Sequence, residues 1–238
     1  IEDNCEALGA KFNKKYLGTY GDFSTFSFFY SHQITSGEGG MIVCKNKNDY
    51  DILKSLRSHG WSREKKVADK YPNLDPRYIF LNSGFNLRPT DIQAAIGLSQ
   101  LNKLDKFKKT RVQNMKKIIK NLQNDPKWND QFQFIKVPKG ISPSYMVFPI
   151  MLHPRYKNKK IDFINFIESK GIQTRPIISG NFANQPASKL FKLNLNRSKF
   201  QGCNQVQELG FVIGMHTKKI TKREINILTK SLLSIDSI

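Results

Sequence analysis

Four short stretches of this chain hold the residue types that chemistry needs. The first, IEDNCEALGA, sets a carboxylate pair, Glu2 and Asp3, at the expected end of a strand, with Glu6 close behind. The second, GDFSTFSFFYSHQITSGEGG, carries hydroxyls including Ser27, a single histidine, His32, and a Gly-rich turn. An imidazole is a base near neutral pH, and a polar Gly-rich turn between two strands leaves backbone amides open to a ligand. The third, RSHGWSR, places His59 and Arg63 after a helix, and the fourth, SGFNLRPTDIQAAIG, puts Asn86 and Arg88 just ahead of another. Further on, GIQTRPIISGNFANQP contains Arg175, whose forked guanidinium suits a carboxylate or a phosphate.

The elements that must position these residues are legible from periodicity. FSTFSFFY (23–30) reads as a buried strand and MIVC (41–44) as a second, with SHQITSGEGG as the loop between them. Residues 49–59 read as a helix with Tyr50, Ile52, Leu53 and Leu56 inward and Gly60 as its stop. Residues 61–83, with Pro72 and Pro76, read as a long irregular loop, and such loops are often functional. Thr90 is a candidate N-cap. Apolar residues from Ile92 to Leu122 recur at steps of mostly three to five, which predicts one long amphipathic helix to about residue 123. Beyond Pro126, YMVFPIML (145–152) and residues 172–178 read as strands, 161–170 as a helix ended by Gly171, and Thr221–Glu224 as a capping box opening a final helix.

Charge and cysteine content narrow the classes. The chain carries 39 Lys/Arg and 19 Asp/Glu, a net of +20. Residues 1–100 hold 13 basic and 11 acidic side chains, a net of +2, and residues 101–238 hold 26 and 8, a net of +18. The excess lies in lysines scattered along helices, read as solvated faces rather than a nucleic-acid surface. Cys5, Cys44 and Cys203 are too far apart for a zinc site or a disulfide framework, so no metal is expected. No apolar run approaches the roughly 20 residues a membrane span needs, the first residues lack the pattern of a secretory signal, and a reducing, cytoplasmic setting fits.

Taken in order, these segments resemble the DegT/DnrJ/StrS family of pyridoxal-phosphate sugar aminotransferases, over essentially the whole chain. The resemblance aligns the sequence with the C-terminal portion of longer family members, so a fragment is expected. It implies an α/β, aspartate-aminotransferase-like fold: residues 1–90 as the later part of an incomplete large cofactor-binding domain, 91–123 as a connecting helix, and 124–238 as a small α+β C-terminal domain. It further implies a homodimer with active sites at the interface.

The same resemblance assigns roles. Asp3 matches the aspartate that pairs with the pyridine nitrogen of the cofactor and keeps the ring an electron sink. Glu6 matches the polar position near the ring hydroxyl, and Ser27 the serine that bonds the cofactor phosphate. Asn86, with Arg88, matches the segment that reaches the cofactor phosphate of the neighbouring subunit. His59, Arg63 and Arg175 would face the substrate.

One position departs from the aminotransferases. Two residues before the Ile-Thr of ITxGEGG they carry a lysine that bonds the cofactor covalently. Here the residue is His32, and no lysine lies between Lys15 and Lys45. The replacement resembles the histidine-containing 3-dehydratases of the family, closest to the branch acting on GDP-4-keto-6-deoxymannose. It implies non-covalently bound pyridoxal or pyridoxamine phosphate, a nucleotide-linked 4-keto-6-deoxy sugar as substrate, His32 as base, and glutamate as amino donor, in deoxysugar biosynthesis of the lipopolysaccharide type. The alternatives are a sugar aminotransferase using another base and a degenerate, non-catalytic member. A further dehydratase type carries an iron–sulfur cluster, which three isolated cysteines do not supply.

Overall fold

The alternation in FSTFS is the organising signal of the first half of the chain. In β4 (Phe23–Ser27), Ser24 and Phe26 are buried on one face while Phe23, Thr25 and Ser27 are half-buried on the other, the period-2 pattern of a strand. The computed structural model, which describes residues 1–62, 64–191 and 199–238, places β4 at the centre of a three-stranded sheet. On one side β1 (Glu2–Asp3) runs parallel, pairing Glu2 with Ser24 and Asp3 with Thr25. On the other, β5 (Gly40–Cys44) runs antiparallel, pairing Ser27 with Gly40. Between them β2 (Lys11–Phe12) and β3 (Lys15–Tyr16) form a hairpin. Its turn residues Asn13 and Lys14 both adopt positive φ, 46° and 70°, which matches the strand twist.

The helix α1 (Lys47–Arg57) begins where the Asn46 side chain accepts from the Asp49 amide at 2.8 Å. The expected inward set is corrected here. Tyr50 and Ile52 are about half exposed, and Ile52 lines a surface cleft rather than a core. The helix ends at Ser58 rather than at Gly60. The stretch expected to be irregular contains β6 (Trp61–Ser62) paired with β7 (Ile79–Phe80), and a single turn, α2 (Lys65–Ala68). Trp61 holds this segment in shape: its ring stacks on Tyr78 at 5.6 Å and its indole N–H donates to the Arg77 carbonyl at 2.7 Å.

The helix predicted over 90–123 is two. Thr90 caps α3 (Asp91–Leu101) through a capping box with Gln93, and α4 spans Leu104–Gln123. Between them the Lys103 amide donates to the Gln100 carbonyl at 2.8 Å, a tightened turn of 3₁₀ type. The residues fall into two compact units that divide after Leu104.

In the second unit, α4 buries Met115, Ile118 and Leu122 while Lys116, Lys117 and Lys120 stay exposed, so the lysine excess of this helix is a solvated face. Its sheet has the order β11-β12-β10-β8, from β8 (Phe132–Phe134), β10 (Val147–Leu152), β11 (Thr174–Arg175) and β12 (Gly210–Gly214), with β9 (Ile141–Ser142) as a further two-residue strand. Phe148, Ile150 and Leu152 alternate into the core of this unit. There they join Phe163 and Ile167 of α5 (Lys160–Ser169) and Leu232 of α7 (Lys222–Leu233); α6 (Gln201–Leu209) leads into β12. Two expectations are corrected. The 145–152 strand starts at Val147, and of 172–178 only Thr174–Arg175 is strand. Past Pro176 the chain turns, and Ile178 sits at φ 46°, outside the extended region. Gly171 at φ 81° ends the turn after α5, and the Thr221–Glu224 capping box opens α7.

Candidate active site

Asp3, Glu6, Ser27 and His32 form one connected region of the first unit. Register brings Asp3 and Ser27 to the same sheet face, because Asp3 pairs with Thr25 and Ser27 lies two residues further along β4. Asp3 Oδ1 accepts from the Cys5 amide at 3.2 Å and from the Thr25 hydroxyl at 3.2 Å. The Cys5 thiol and amide, with the Thr25 hydroxyl, hold this exposed carboxyl below its ordinary value, so it stays ionised at neutral pH.

Ser27 leads to His32. Its Oγ accepts from the Phe29 amide at 3.2 Å, and the Phe29 carbonyl accepts from the His32 amide at 3.1 Å. The Phe29 ring meets the His32 ring edge-on, with centroids 5.6 Å apart. Against this aromatic wall His32 Nδ1 is buried and has no hydrogen-bond partner among the described residues. Buried polar nitrogens are rarely left so, and one in a base-bearing loop is what a site that takes a ligand would show. The next residue, Gln33, is 1% exposed, and its side chain donates to the Glu6 carbonyl. That bond ties the His32 loop to the loop that follows β1. The Glu6 carboxylate itself is on an exposed residue.

The Gly-rich turn is shaped by side chains. Thr35 Oγ1 accepts from the Gly37 amide at 2.8 Å, and the Ser36 hydroxyl donates to the Glu38 carbonyl at 3.0 Å. A Cβ on Gly39 would come within 2.3 Å of Ser36 Oγ, so a side chain there would displace the hydroxyl that donates to the Glu38 carbonyl.

His59, Asn86 and Arg88 form a second group. The His59 amide donates to the Phe85 carbonyl at 2.7 Å, the Phe85 amide to the Leu56 carbonyl at 2.6 Å and the Leu87 amide to the Arg57 carbonyl at 3.0 Å. Asn86 faces Ser58 as an antiparallel bridge, and its Oδ1 accepts from Arg88 Nε at 3.4 Å. The close approach depends on Gly60, at φ 82°, where a Cβ would lie 1.6 Å from the Asn82 carbonyl oxygen. Arg88 also lines a cleft of about 510 Å³ along α1. Arg63 lies outside the described residues. Arg175 belongs to the second unit, on β11, where its guanidinium donates to the Thr174 carbonyl at 2.7 Å. The other histidines serve the backbone: His153 Nδ1 accepts from the Arg155 amide and His216 Nδ1 from the Lys218 amide.

Two residues to which sequence reasoning assigned no role of their own build this region. Glu2 accepts from the amides of Gly18, Tyr20 and Gly21 at 2.6–2.8 Å. These bonds, chiefly from Gly21 and Gly18, hold its carboxyl at about 2. Thr25 bonds Asp3. Their partners are distant in sequence, so the segments in which they sit do not show these bonds.

Among the described residues no helix is long and apolar enough to cross a membrane, and no three His, Cys, Asp or Glu side chains gather as a metal site would need.

Known proteins share this arrangement of elements. A model described as the DegT/DnrJ/EryC1/StrS aminotransferase family matches residues 1–227. The GDP-4-keto-6-deoxy-D-mannose 3-dehydratase of Escherichia coli O55:H7 is 31% identical over 223 residues, covering 91% of this chain and 56% of that protein. The protein of the same name from Yersinia pseudotuberculosis is 32% identical over 240 residues, covering 97% and 59%. The solved structure of the E. coli dehydratase with bound hydrated pyridoxal phosphate superposes with a TM-score of 0.80 at 28% identity, over 97% of this chain and 59% of that one. The fold is that of these enzymes, and the chain spans under two thirds of their length.

Proposed function

This chain belongs to the DegT/DnrJ/EryC1/StrS aminotransferase family, and on that footing we propose that the protein is a 3-dehydratase of a nucleotide-linked 4-keto-6-deoxy sugar. It would use pyridoxamine phosphate without a covalent bond to the chain, in deoxysugar biosynthesis of the lipopolysaccharide type. The observation that carries this reading is His32: an imidazole stands where the family's lysine would be, with Nδ1 buried and unpartnered. The relatives named above as 3-dehydratases support it. In the same proposal residues 1–90 form part of the large domain, 91–123 the connection and 124–238 the small domain.

The residues present fit the cofactor. Asp3 is an ionised, exposed carboxylate suited to hold a protonated ring nitrogen. The Ser27 hydroxyl, on the same face, would hold the phosphate, with Asn86 and Arg88 reaching the phosphate of a neighbouring subunit. Glu6 would stand near the ring hydroxyl. When bound, pyridoxamine phosphate supplies an amine that condenses with the 4-keto group and a ring that accepts the electron pair left by deprotonation.

His32 would take the proton from the C4′ carbon beside that amine, the step that drives out the sugar 3-hydroxyl. An imidazole does this near neutral pH without forming a stable covalent link. The Phe29 ring packs edge-on against the His32 ring. His59, Arg63 and Arg175 would bind the nucleotide sugar, and Arg175 would also suit the carboxylate of glutamate as amino donor. A homodimer in the cytoplasm completes the proposal. Exposed Phe85, Leu87, Ile92 and Leu98, each at 62–75%, support a surface covered by a second subunit.

A sugar aminotransferase is the competing reading. Borohydride treatment of the cofactor-loaded protein separates the two. A cofactor still removable by dialysis supports the dehydratase, and a reduced lysine–cofactor adduct supports the aminotransferase.

A further inference from the structure

We propose that Thr25 is the positioning residue for Asp3, fixing the carboxylate through a relay that runs from the Cys5 thiol through the Thr25 hydroxyl to Asp3 Oδ1. The inference rests on the assignment of Asp3 to the cofactor ring nitrogen made above, and adds a residue that the family comparison does not supply.

Three features of β4 carry it. First, the strand register sets Thr25 directly beside Asp3 across the parallel pair, so the two side chains rise from one face. Second, the Thr25 hydroxyl is used twice. It accepts from Cys5 Sγ at 3.5 Å and donates to Asp3 Oδ1 at 3.2 Å. A hydroxyl that accepts from one side has its proton directed to the other, and bonds in such a chain reinforce one another. Third, Thr25 is β-branched in the central strand of the sheet, and its restricted χ1 keeps the hydroxyl aimed without further support.

The function of the relay follows from the geometry. The Cys5 amide and the Thr25 hydroxyl both address Oδ1, so the rotation of the carboxylate is fixed and its second oxygen takes neither bond. The groups that act on Asp3 are the Cys5 thiol and amide on the following loop and the neutral Thr25 on β4, and Glu6 acts on the Cys5 thiol. Glu2 is engaged elsewhere, on the amides of residues 18–21. No cation is among the groups that hold Asp3 ionised; hydrogen-bond donors do it. Thr25, with Cys5, thus helps hold Asp3 charged, and it fixes the rotation that leaves the second carboxylate oxygen for a cationic N–H.

The test measures affinity of the protein for pyridoxamine phosphate and for its 1-deaza analogue, in which carbon replaces the ring nitrogen. Native protein should prefer the natural cofactor. Thr25→Val keeps the shape and removes the relay, and should lose about tenfold of that preference while binding the deaza analogue as before. Thr25→Ser keeps a hydroxyl and should retain most of the preference, which also guards against a Val variant that folds poorly. If Thr25→Val discriminates as well as native protein, or loses both ligands equally, the positioning role is overturned. If native protein itself does not distinguish the two ligands, the assignment of Asp3 fails and this inference falls with it.

Discussion

The Gln33 side chain donates to the Glu6 carbonyl, so the loop that carries His32 is pinned to the loop that follows Asp3. One buried amide thus links the loop of the proposed base to the loop that follows the ring carboxylate. Gln33→Leu keeps the volume and leaves the Glu6 carbonyl unpaired. An unpaired buried acceptor costs about 1–3 kcal/mol. We expect kcat to fall roughly tenfold or more with KM for the sugar little changed. Steady-state kinetics of the variant check this; an unchanged kcat would show that the loop is held by other means.

Glu2 predicts an acid dependence. Its carboxyl is held at about 2, against 4.5 without the bonds from the amides of Gly21, Gly18 and Tyr20. A group whose folded value is depressed stabilises the fold above its unfolded value, and that contribution is lost as pH falls toward the folded one. Native protein should therefore exceed Glu2→Gln in stability above about pH 4.5, and the difference should shrink as pH falls toward about 2. Chemical denaturation of both at several pH values tests it. A difference that does not change with pH would show that the carboxylate charge is not what matters.

Gly60 should tolerate no side chain. A Cβ there would overlap the Asn82 carbonyl oxygen at 1.6 Å, on a backbone at φ 82°. Gly60→Ala should loosen the contact between residues 55–60 and 82–88. The amides of Phe85 and Leu87, bonded to Leu56 and Arg57, should lose hydrogen-exchange protection first. Retained protection at both would contradict the account.

Phe163 anchors the core of the second unit. It is fully buried, with Phe132 and Phe211 at 6.0 Å. Phe163→Ala should cost about 3–5 kcal/mol, read as a lower denaturant midpoint with an unchanged slope for the transition of this unit.

Where local pattern decides structure, the sequence was a good guide. Thr90 caps its helix as expected, and the Thr221–Glu224 capping box opens α7 as its spacing predicts, because a capping box is complete within four residues. Phe148, Ile150 and Leu152 alternate inward as a strand requires. The failures have a common cause in longer-range context. The apolar steps run unbroken past Asn102 and Lys103, with no Gly or Pro there to mark the tightened turn between α3 and α4. Ile52 looks like a core residue but borders a cleft. The 172–178 run looks uniformly strand-like, yet only Thr174–Arg175 finds a partner strand, beside β12. In the site, the family resemblance picked out Asp3 and Ser27, and the departure from its lysine picked out His32. The bonds that shape the surrounding loops and strands come from Glu2, Thr25 and Gln33, whose partners are distant in sequence and are mostly backbone groups.

The central claim is that His32 serves as a base for elimination rather than for amino transfer. The direct measurement is the product formed when the protein is given pyridoxamine phosphate, glutamate and GDP-4-keto-6-deoxymannose. The account predicts ammonia and a 3-deoxy keto sugar. It also predicts that His32→Ala lowers the rate by about 10²–10⁴-fold while still binding the cofactor. A 4-amino sugar as the only product, or elimination at full rate in His32→Ala, would contradict it.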